Sequence, residues 1–196
     1  MSTDIRLPKL LFVRHGETDW NRAGRMQGQL DIPLNDRGRL QAARNGRVLA
    51  RLAEGGDWAT AVSPLSRARE TYEIMREKGL AAPDATAKDS LKEIAFGAFE
   101  GLTPREIRDQ HADLMPARRA DTWNFTPPGG ESYADLSARV WAWLETLDGP
   151  TIIVAHGGVM RVILRRLAGI PENRGTGIFT PQHRVLAING ETLAFF

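Results

Sequence analysis

Apolar residues follow two rhythms along this chain. Three short runs are nearly unbroken: Lys9-Leu10-Leu11-Phe12-Val13, Trp58-Ala59-Thr60-Ala61-Val62 and Thr151-Ile152-Ile153-Val154-Ala155. Runs this short, bounded by polar residues, read as buried strands. Each stops abruptly: the first at Arg14-His15-Gly16, the second at Ser63-Pro64, the third at His156-Gly157-Gly158. Between them the apolar positions recur at helical spacing. Gly38 to Leu52 carries Leu40, Ala43, Val48 and Leu52, with Asn35 or Asp36 as its N-cap. Ser66 to Lys78 follows the second strand, and Gly79 is placed to end it. Tyr133 to Leu147 aligns Leu136, Val140, Trp143, Leu144 and Leu147 on one face, and Val159 to Leu167 follows the third strand and ends before Gly169. At the end of the chain, Arg184 to Phe196 holds two β-prone stretches around Asn189-Gly190, a strong hairpin signal.

Strands alternating with helices predict an α/β fold with a mostly parallel central sheet. In such sheets ligands bind beyond the carboxyl ends of the strands. The polar breaks noted above lie at those ends. The stretch Gly101 to Gly130, rich in Arg, Pro and Asp, departs from the alternation and is read as a helical excursion over that edge, within one domain spanning residues 1–196.

Composition narrows the chemistry. With 196 residues, 42% hydrophobic and 26% charged, the chain is long enough to bury a core unaided. A formal charge of +2 gives no reason to expect a nucleic-acid partner. There is no cysteine, which excludes disulfides, thiolate metal sites and a cysteine nucleophile. Met1 to Lys9 has no apolar signal core and no apolar run is long enough to span a bilayer, so a cytoplasmic protein with no membrane partner is expected.

The remaining candidates are two histidines, two arginines and a carboxylate. Arg14 and Arg67 offer planar forks that match a phosphate. A neutral His15 can attack phosphorus, splitting one hard displacement into two. His156, in its charged form, would hold phosphoryl oxygens, with bound phosphate or a carboxylate keeping it charged against the arginines. Glu93 is placed to protonate a leaving alkoxide and then to take a proton from water, with Glu100 as the rival. Gly16 would let the backbone approach a ligand, and the N–H groups near Gly157-Gly158 would add to the anion site. A facial triad of His15, His156 and Glu93 would be a metal site, but two arginines in the same pocket would repel a cation, so no metal and no cofactor are expected.

These segments resemble the histidine phosphatase superfamily, also called phosphoglycerate mutase-like. The resemblance rests on Arg14-His15-Gly16, Gln27-Gly28 with Asp31 and Pro33-Leu34, Gly38 with Gln41-Ala42, Ser63-Pro64-Leu65-Ser66-Arg67-Ala68, Glu93 with Phe96-Gly97 and Glu100-Gly101, Gly129-Gly130-Glu131-Ser132, and Ala155-His156-Gly157-Gly158. It runs in order from about Leu11 to Gly158. It implies a three-layer α/β/α sandwich, His15 as the phosphorylated residue, Arg14 and Arg67 on phosphate, His156 completing the pocket and Glu93 as proton donor. It places Asn21 and Gln27 at positions that touch the phosphoryl group or the attacking water. The short stretch after Glu93 is similar to the phosphatase branch, which includes alpha-ribazole phosphatase and broad-specificity phosphatases; the mutases carry a longer insertion there.

The expectation is therefore hydrolysis of a small phosphomonoester through a phosphohistidine. The alternatives are a mutase that returns the phosphoryl group to its substrate, and a phosphoprotein phosphatase or regulatory binding protein on the same fold. Trp20, Arg118, Arg119, Trp123 and Phe125 are candidates for choosing the leaving group. His111 and His183 are read as loop or surface residues without a catalytic part. Aromatic residues towards the C-terminal end permit a homodimer without demanding one.

Overall fold

The structure, a computed structural model, describes residues 7–190 and 192–196. Six strands, β1 (Leu10–Arg14), β2 (Ala59–Val62), β3 (Thr86–Ala87), β4 (Thr151–Ala155), β5 (Val185–Asn189) and β6 (Thr192–Phe195), form one sheet in the order β3-β2-β4-β1-β5-β6. The neighbours from β3 to β1 pair in parallel. β5 runs antiparallel to β1, and β6 antiparallel to β5, with Asn189 opposite Thr192 as the hairpin signal predicts. The helices are α1 (Asp19–Arg22), α2 (Asp36–Leu52), α3 (Ser66–Glu77), α4 (Pro104–Gln110), α5 (Met115–Ala120), α6 (Tyr133–Leu144), α7 (Gly157–Leu167) and α8 (Glu172–Gly175).

The unbroken apolar runs are explained by helices on both faces of the sheet. Successive side chains of a strand point to opposite faces. Leu10 and Phe12 of β1 join Ile153 of β4 in a core with Leu136 and Val140 of α6 and Val159 and Ile163 of α7. Leu11 and Val13 join Ile152 and Val154 in a second core with Leu49 of α2 and Ala68, Tyr72 and Met75 of α3. The result is a three-layer α/β/α arrangement around a mostly parallel sheet. Among the described residues no helix is long and apolar enough to cross a membrane.

Helix α2 departs from expectation in its buried face. Leu40 is 73% exposed, and the core-facing positions are Gly38, Ala42, Asn45, Gly46 and Leu49. Large side chains do not mark this face because α2 lies too close to α3: a Cβ on Gly46 would stand 2.8 Å from Met75 Cα. Small residues are what such a contact admits. Asn35 is the N-cap, its side chain accepting from the Gly38 N–H. Helix α6 ends at Leu144 rather than Leu147. The N–H groups of Thr146 and Leu147 turn back onto Trp143 and Leu144, three residues earlier, in the approach to Gly149-Pro150. Helix α7 begins at Gly157, two residues earlier than its apolar pattern suggests.

Replacing Gly46 sets helix propensity against sterics. Gly46→Ala gains about 1 kcal/mol of propensity. The new methyl meets Met75 backbone atoms at 2.8 and 2.9 Å, which cannot rotate away. Overpacking costs about 1–3 kcal/mol, so a net loss is expected. Urea titration of Gly46→Ala checks this; a gain in stability would show that α2 and α3 separate without cost.

Candidate active site

The strand order places three polar breaks side by side. In the adjacent strands β2, β4 and β1, the residues just past each carboxyl end are Ser63, His156 and His15. The ladders continue into them: Ser63 N–H donates to Val154 O and His15 N–H to Ala155 O, both at 2.9 Å. The imidazole rings of His15 and His156 stand 5.1 Å apart, tilted by 58°.

The tautomer of His15 follows from one contact. Its Nδ1 lies 2.7 Å from the carbonyl oxygen of Gly16. A carbonyl only accepts, so Nδ1 carries the proton and Nε2 of the neutral ring holds a free lone pair. Burial, followed by the charges of Arg67 and Arg14, holds His15 well below its ordinary pKa of 6.5. Gly16 serves a different purpose from the one expected. A side chain there would run into the backbone of Gly38, and one at Gly38 into the backbone of Glu17. The close approach is thus between two chain segments, and it fixes the loop that carries His15. The Gly16 N–H is held by Thr71 Oγ1 at 3.1 Å, and Thr71 in turn donates to Arg67 O at 2.7 Å.

Arg14 and Arg67 are anchored by carbonyl oxygens rather than by carboxylates. Arg14 Nη1 donates to Thr180 O at 2.7 Å. Arg67, fully buried, donates to Leu30 O and Gly28 O, both at 2.7 Å. Burial brings the Arg14 pKa down to about 10, with Glu93 opposing the shift and Arg161 and Arg67 adding to it. Arg14 therefore stays charged at neutral pH. Burial also lowers Arg67, against the opposing pull of Glu93. Arg14 Nε, Arg67 Nε and His156 Nδ1 are buried without a hydrogen-bond partner among the described residues. Buried donors are rarely left so, and three in one cluster mark a place where an acceptor belongs.

His156 is opposed in its protonation by its surroundings, as the neighbouring arginines lead one to expect. Burial first, then Arg67, His15 and Arg14, pushes its pKa well below 6.5, so the resting ring is neutral. Its Nε2 lies 2.7 Å from Ser63 Oγ. The start of α7 is also used differently. The Gly158 N–H donates to Glu93, at 3.0 and 3.2 Å to its two carboxylate oxygens. A Cβ on Gly158 would collide with that carboxylate, which explains the second glycine. Gly157, the first residue of α7, has no intrahelical acceptor for its own N–H, and its Cα packs against Arg14 and Thr180.

Arg14, His15, Asn21, Gln27, Arg67 and Glu93 line a common cavity of about 210 Å³. Asn21 Oδ1 accepts from Gln182 Nε2 at 2.9 Å, and Gln27 Oε1 accepts from Thr18 Oγ1 at 2.9 Å. Glu100 is turned away, accepting from the N–H groups of Gln29 and Phe96 at 3.0 and 3.1 Å. This cavity shares Met26, Phe96 and Arg161 with an adjoining one of about 250 Å³, lined in part by Phe99, Arg118, Thr122, Phe125 and Tyr133. Arg118 and Phe125 thus line the cavity next to that of His15. Trp123 does not: it is buried, stacked on Tyr133 at 5.8 Å and covered by the Arg165 guanidinium at 4.8 Å. Arg119 is exposed, and Trp20 packs over Gly101; neither lines the cleft. No group of three or more His, Asp or Glu side chains among the described residues is arranged to hold a metal ion.

A family model described as histidine phosphatase superfamily (branch 1) matches residues 10–192. The chain belongs to this superfamily. It is 34% identical over 182 residues to the glucosyl-3-phosphoglycerate phosphatase of Mycobacterium tuberculosis, covering 85% of this chain and 78% of the relative. It is 32% identical over 173 residues to the metal-independent phosphoserine phosphatase of Arabidopsis thaliana, covering 85% and 71% respectively. Its fold matches the structure of the mycobacterial glucosyl-3-phosphoglycerate phosphatase in complex with VO3, with a TM-score of 0.78, 28% identity and 96% of each chain covered.

Within this histidine phosphatase, several residues of the site carry no sequence signal of their own. Thr71, Thr180, Gln182 and Arg161 are common residue types outside the motif segments. Ser63 opens the Ser63–Ala68 segment, where Arg67 carries the charge, and Arg161 lies one turn into α7. Thr180 and Gln182 come from the segment before β5, which the order of strands brings against β1. Gln182 also donates to His15 O at 3.2 Å.

The two buried histidines predict an acid-sensitive fold. Folded, both resist protonation; unfolded, each takes up a proton below about 6.5. Stability is therefore full above that value and is lost as pH falls below it towards their folded pKa values. Melting temperature should drop between about pH 7 and about pH 5, and the drop should shrink in the His15→Asn, His156→Asn double variant. An unchanged slope in that variant would assign the acid sensitivity to other groups.

Proposed function

We propose that the chain hydrolyses a small phosphomonoester through a phosphohistidine on His15 Nε2. The observation that carries this reading is the cluster of three unpartnered buried donors, Arg14 Nε, Arg67 Nε and His156 Nδ1, around a neutral histidine whose tautomer leaves Nε2 as a nucleophile. The names of its relatives agree in kind: glucosyl-3-phosphoglycerate, phosphoserine and acid phosphatases.

The phosphoryl group sits between the two arginines, whose charge opposes that spread over the equatorial oxygens. With Ser63 O–H donating to Nε2, the His156 proton rests on Nδ1, so the neutral ring still donates to a phosphoryl oxygen. Asn21, Gln27 and the Gly157 N–H complete the surround. His15 Nε2 bonds to phosphorus as the ester P–O bond breaks, and Glu93 passes a proton to the leaving oxygen. The Glu93 carboxylate then takes a proton from a water that attacks phosphorus. The P–N bond breaks, inorganic phosphate forms, and His15 and Glu93 return to their starting states. The Gly158 and Ile94 N–H groups hold Glu93 in place for both steps.

Phosphate release from His15→Ala should fall by at least about 10³-fold with the fold intact by circular dichroism, since the covalent route is lost. Normal release from that variant would overturn the mechanism. Glu93→Gln should slow an alkyl phosphate by about 10²–10⁴-fold and p-nitrophenyl phosphate far less, because p-nitrophenolate leaves without a proton. Equal losses on both would remove Glu93 from the acid role. Activity should persist in EDTA; loss restored by one divalent ion would require a metal.

A further inference from the structure

The second cavity differs in character from the first. One wall is apolar, built by Met26, Ile94, Phe96, Phe99 and Phe125. Against it stand two guanidinium groups without an acidic partner among the described residues. Arg118 lies over the Phe99 ring, 5.6 Å from its centroid, with no hydrogen bond among the described residues. Arg161 donates to Ile178 O at 2.9 Å and approaches the Tyr133 hydroxyl at 3.5 Å. The one carboxylate on this lining, Glu131, is already bound by Arg139 at 2.6 and 2.9 Å and by the Ala95 N–H.

Charge across the two adjoining cavities is therefore unbalanced. Arg25 is paired with Glu106 at 2.9 Å, and both histidines are neutral. Arg14, Arg67, Arg118 and Arg161 then face Glu93, which enters the proposed reaction as the acid and so carries no charge to offset them. A phosphate dianion offsets two of these four positive charges. The other two, on Arg118 and Arg161, line the second cavity, where the leaving alcohol must sit. The lining hydroxyls are already engaged: Thr122 and Thr176 bond each other at 3.4 Å, and the Tyr133 hydroxyl accepts from Arg161 at 3.5 Å. A polyol would leave hydroxyl groups unpaired against the phenylalanines, which costs binding.

We infer that the leaving alcohol is compact, has an apolar body and carries a carboxylate, which Arg118 and Arg161 receive. This rests on the phosphatase reading for the position of the phosphate. The probes are 4-carboxyphenyl phosphate and its near-isosteric neutral partner, 4-carbamoylphenyl phosphate. The carboxamide withdraws electrons more strongly, so leaving-group chemistry alone favours the neutral ester. Binding is followed in parallel by calorimetry with 4-carboxybenzylphosphonate and 4-carbamoylbenzylphosphonate, which cannot be hydrolysed.

The carboxylated ester should be preferred in kcat/KM by about tenfold or more, the carboxylated phosphonate should bind more tightly by a similar factor, and both ratios should fall towards one in Arg118→Gln and in Arg161→Gln. Equal turnover and equal binding of each pair would overturn the assignment and leave the phosphatase standing. A preference that survives both substitutions would place the second anion elsewhere and also overturn it. Preferential binding of the carboxylated phosphonate with no hydrolysis of either ester, or of p-nitrophenyl phosphate, would keep the carboxylate subsite and remove the phosphatase reading instead.

Discussion

Two guanidinium groups without a carboxylate partner among the described residues, Arg67 fully buried and Arg14 partly so, set the terms for the rest of this site. An ion moved from water into the interior of a protein loses several kcal/mol of solvation unless other groups replace it. Here the replacement comes from main-chain carbonyls: Leu30 and Gly28 for Arg67, Thr180 for Arg14. Carbonyls hold the forks in place without cancelling their charge, and each guanidinium keeps its Nε free. A carboxylate in the same position would have stabilised the empty fold and competed with phosphate for the same nitrogens. The neutrality of His15 and His156 follows from the same arrangement, since nearby positive charge and burial both oppose protonation.

Those carbonyls belong to loops whose shape depends on tight backbone contacts. Gly28 has a positive φ of 54°, and its carbonyl faces Arg67 only in that turn. The Gly16–Gly38 contact locks the start of α2 against the loop after β1, and Thr71 of α3 links Gly16 to the backbone of Arg67. His15, Arg67 and two helices are thus joined through backbone groups and the Thr71 hydroxyl. Rigid main-chain support of this kind keeps donors aimed where charge develops, with little reorganisation during reaction.

How far the sequence revealed this depended on whether a feature was local. The three apolar runs and the polar residues behind them were legible because a buried parallel strand has a simple signature, and the strand ends placed Arg14, His15 and His156 together. The buried face of α2 was not legible, since the contact with α3 selects glycine and alanine where hydrophobicity would look for leucine; Leu40 misled for that reason. Ser63 and Gln182 gain meaning only from partners 93 and 167 residues away in the chain. Trp123 looked like a recognition residue by type, yet its ring serves as packing for Tyr133 and Arg165.

The start of α7 shows how one element can serve charge and chemistry together. The first N–H groups of a helix are unpaired and carry partial positive charge, so they suit an anion. Phosphate is the obvious occupant next to His156, but Gly158 gives its N–H to Glu93 instead. The reason lies in what each anion must do. In the proposed reaction, phosphate would have two guanidinium groups and would depart after each turnover. Glu93 would keep one position through two proton transfers in opposite directions, and among the described residues no arginine or lysine side chain bonds it. A main-chain donor fixes the carboxylate without engaging it in an ion pair. The twin glycines follow from this division: Gly158 clears room for Glu93, and Gly157 lets Arg14 and Thr180 close over the helix end.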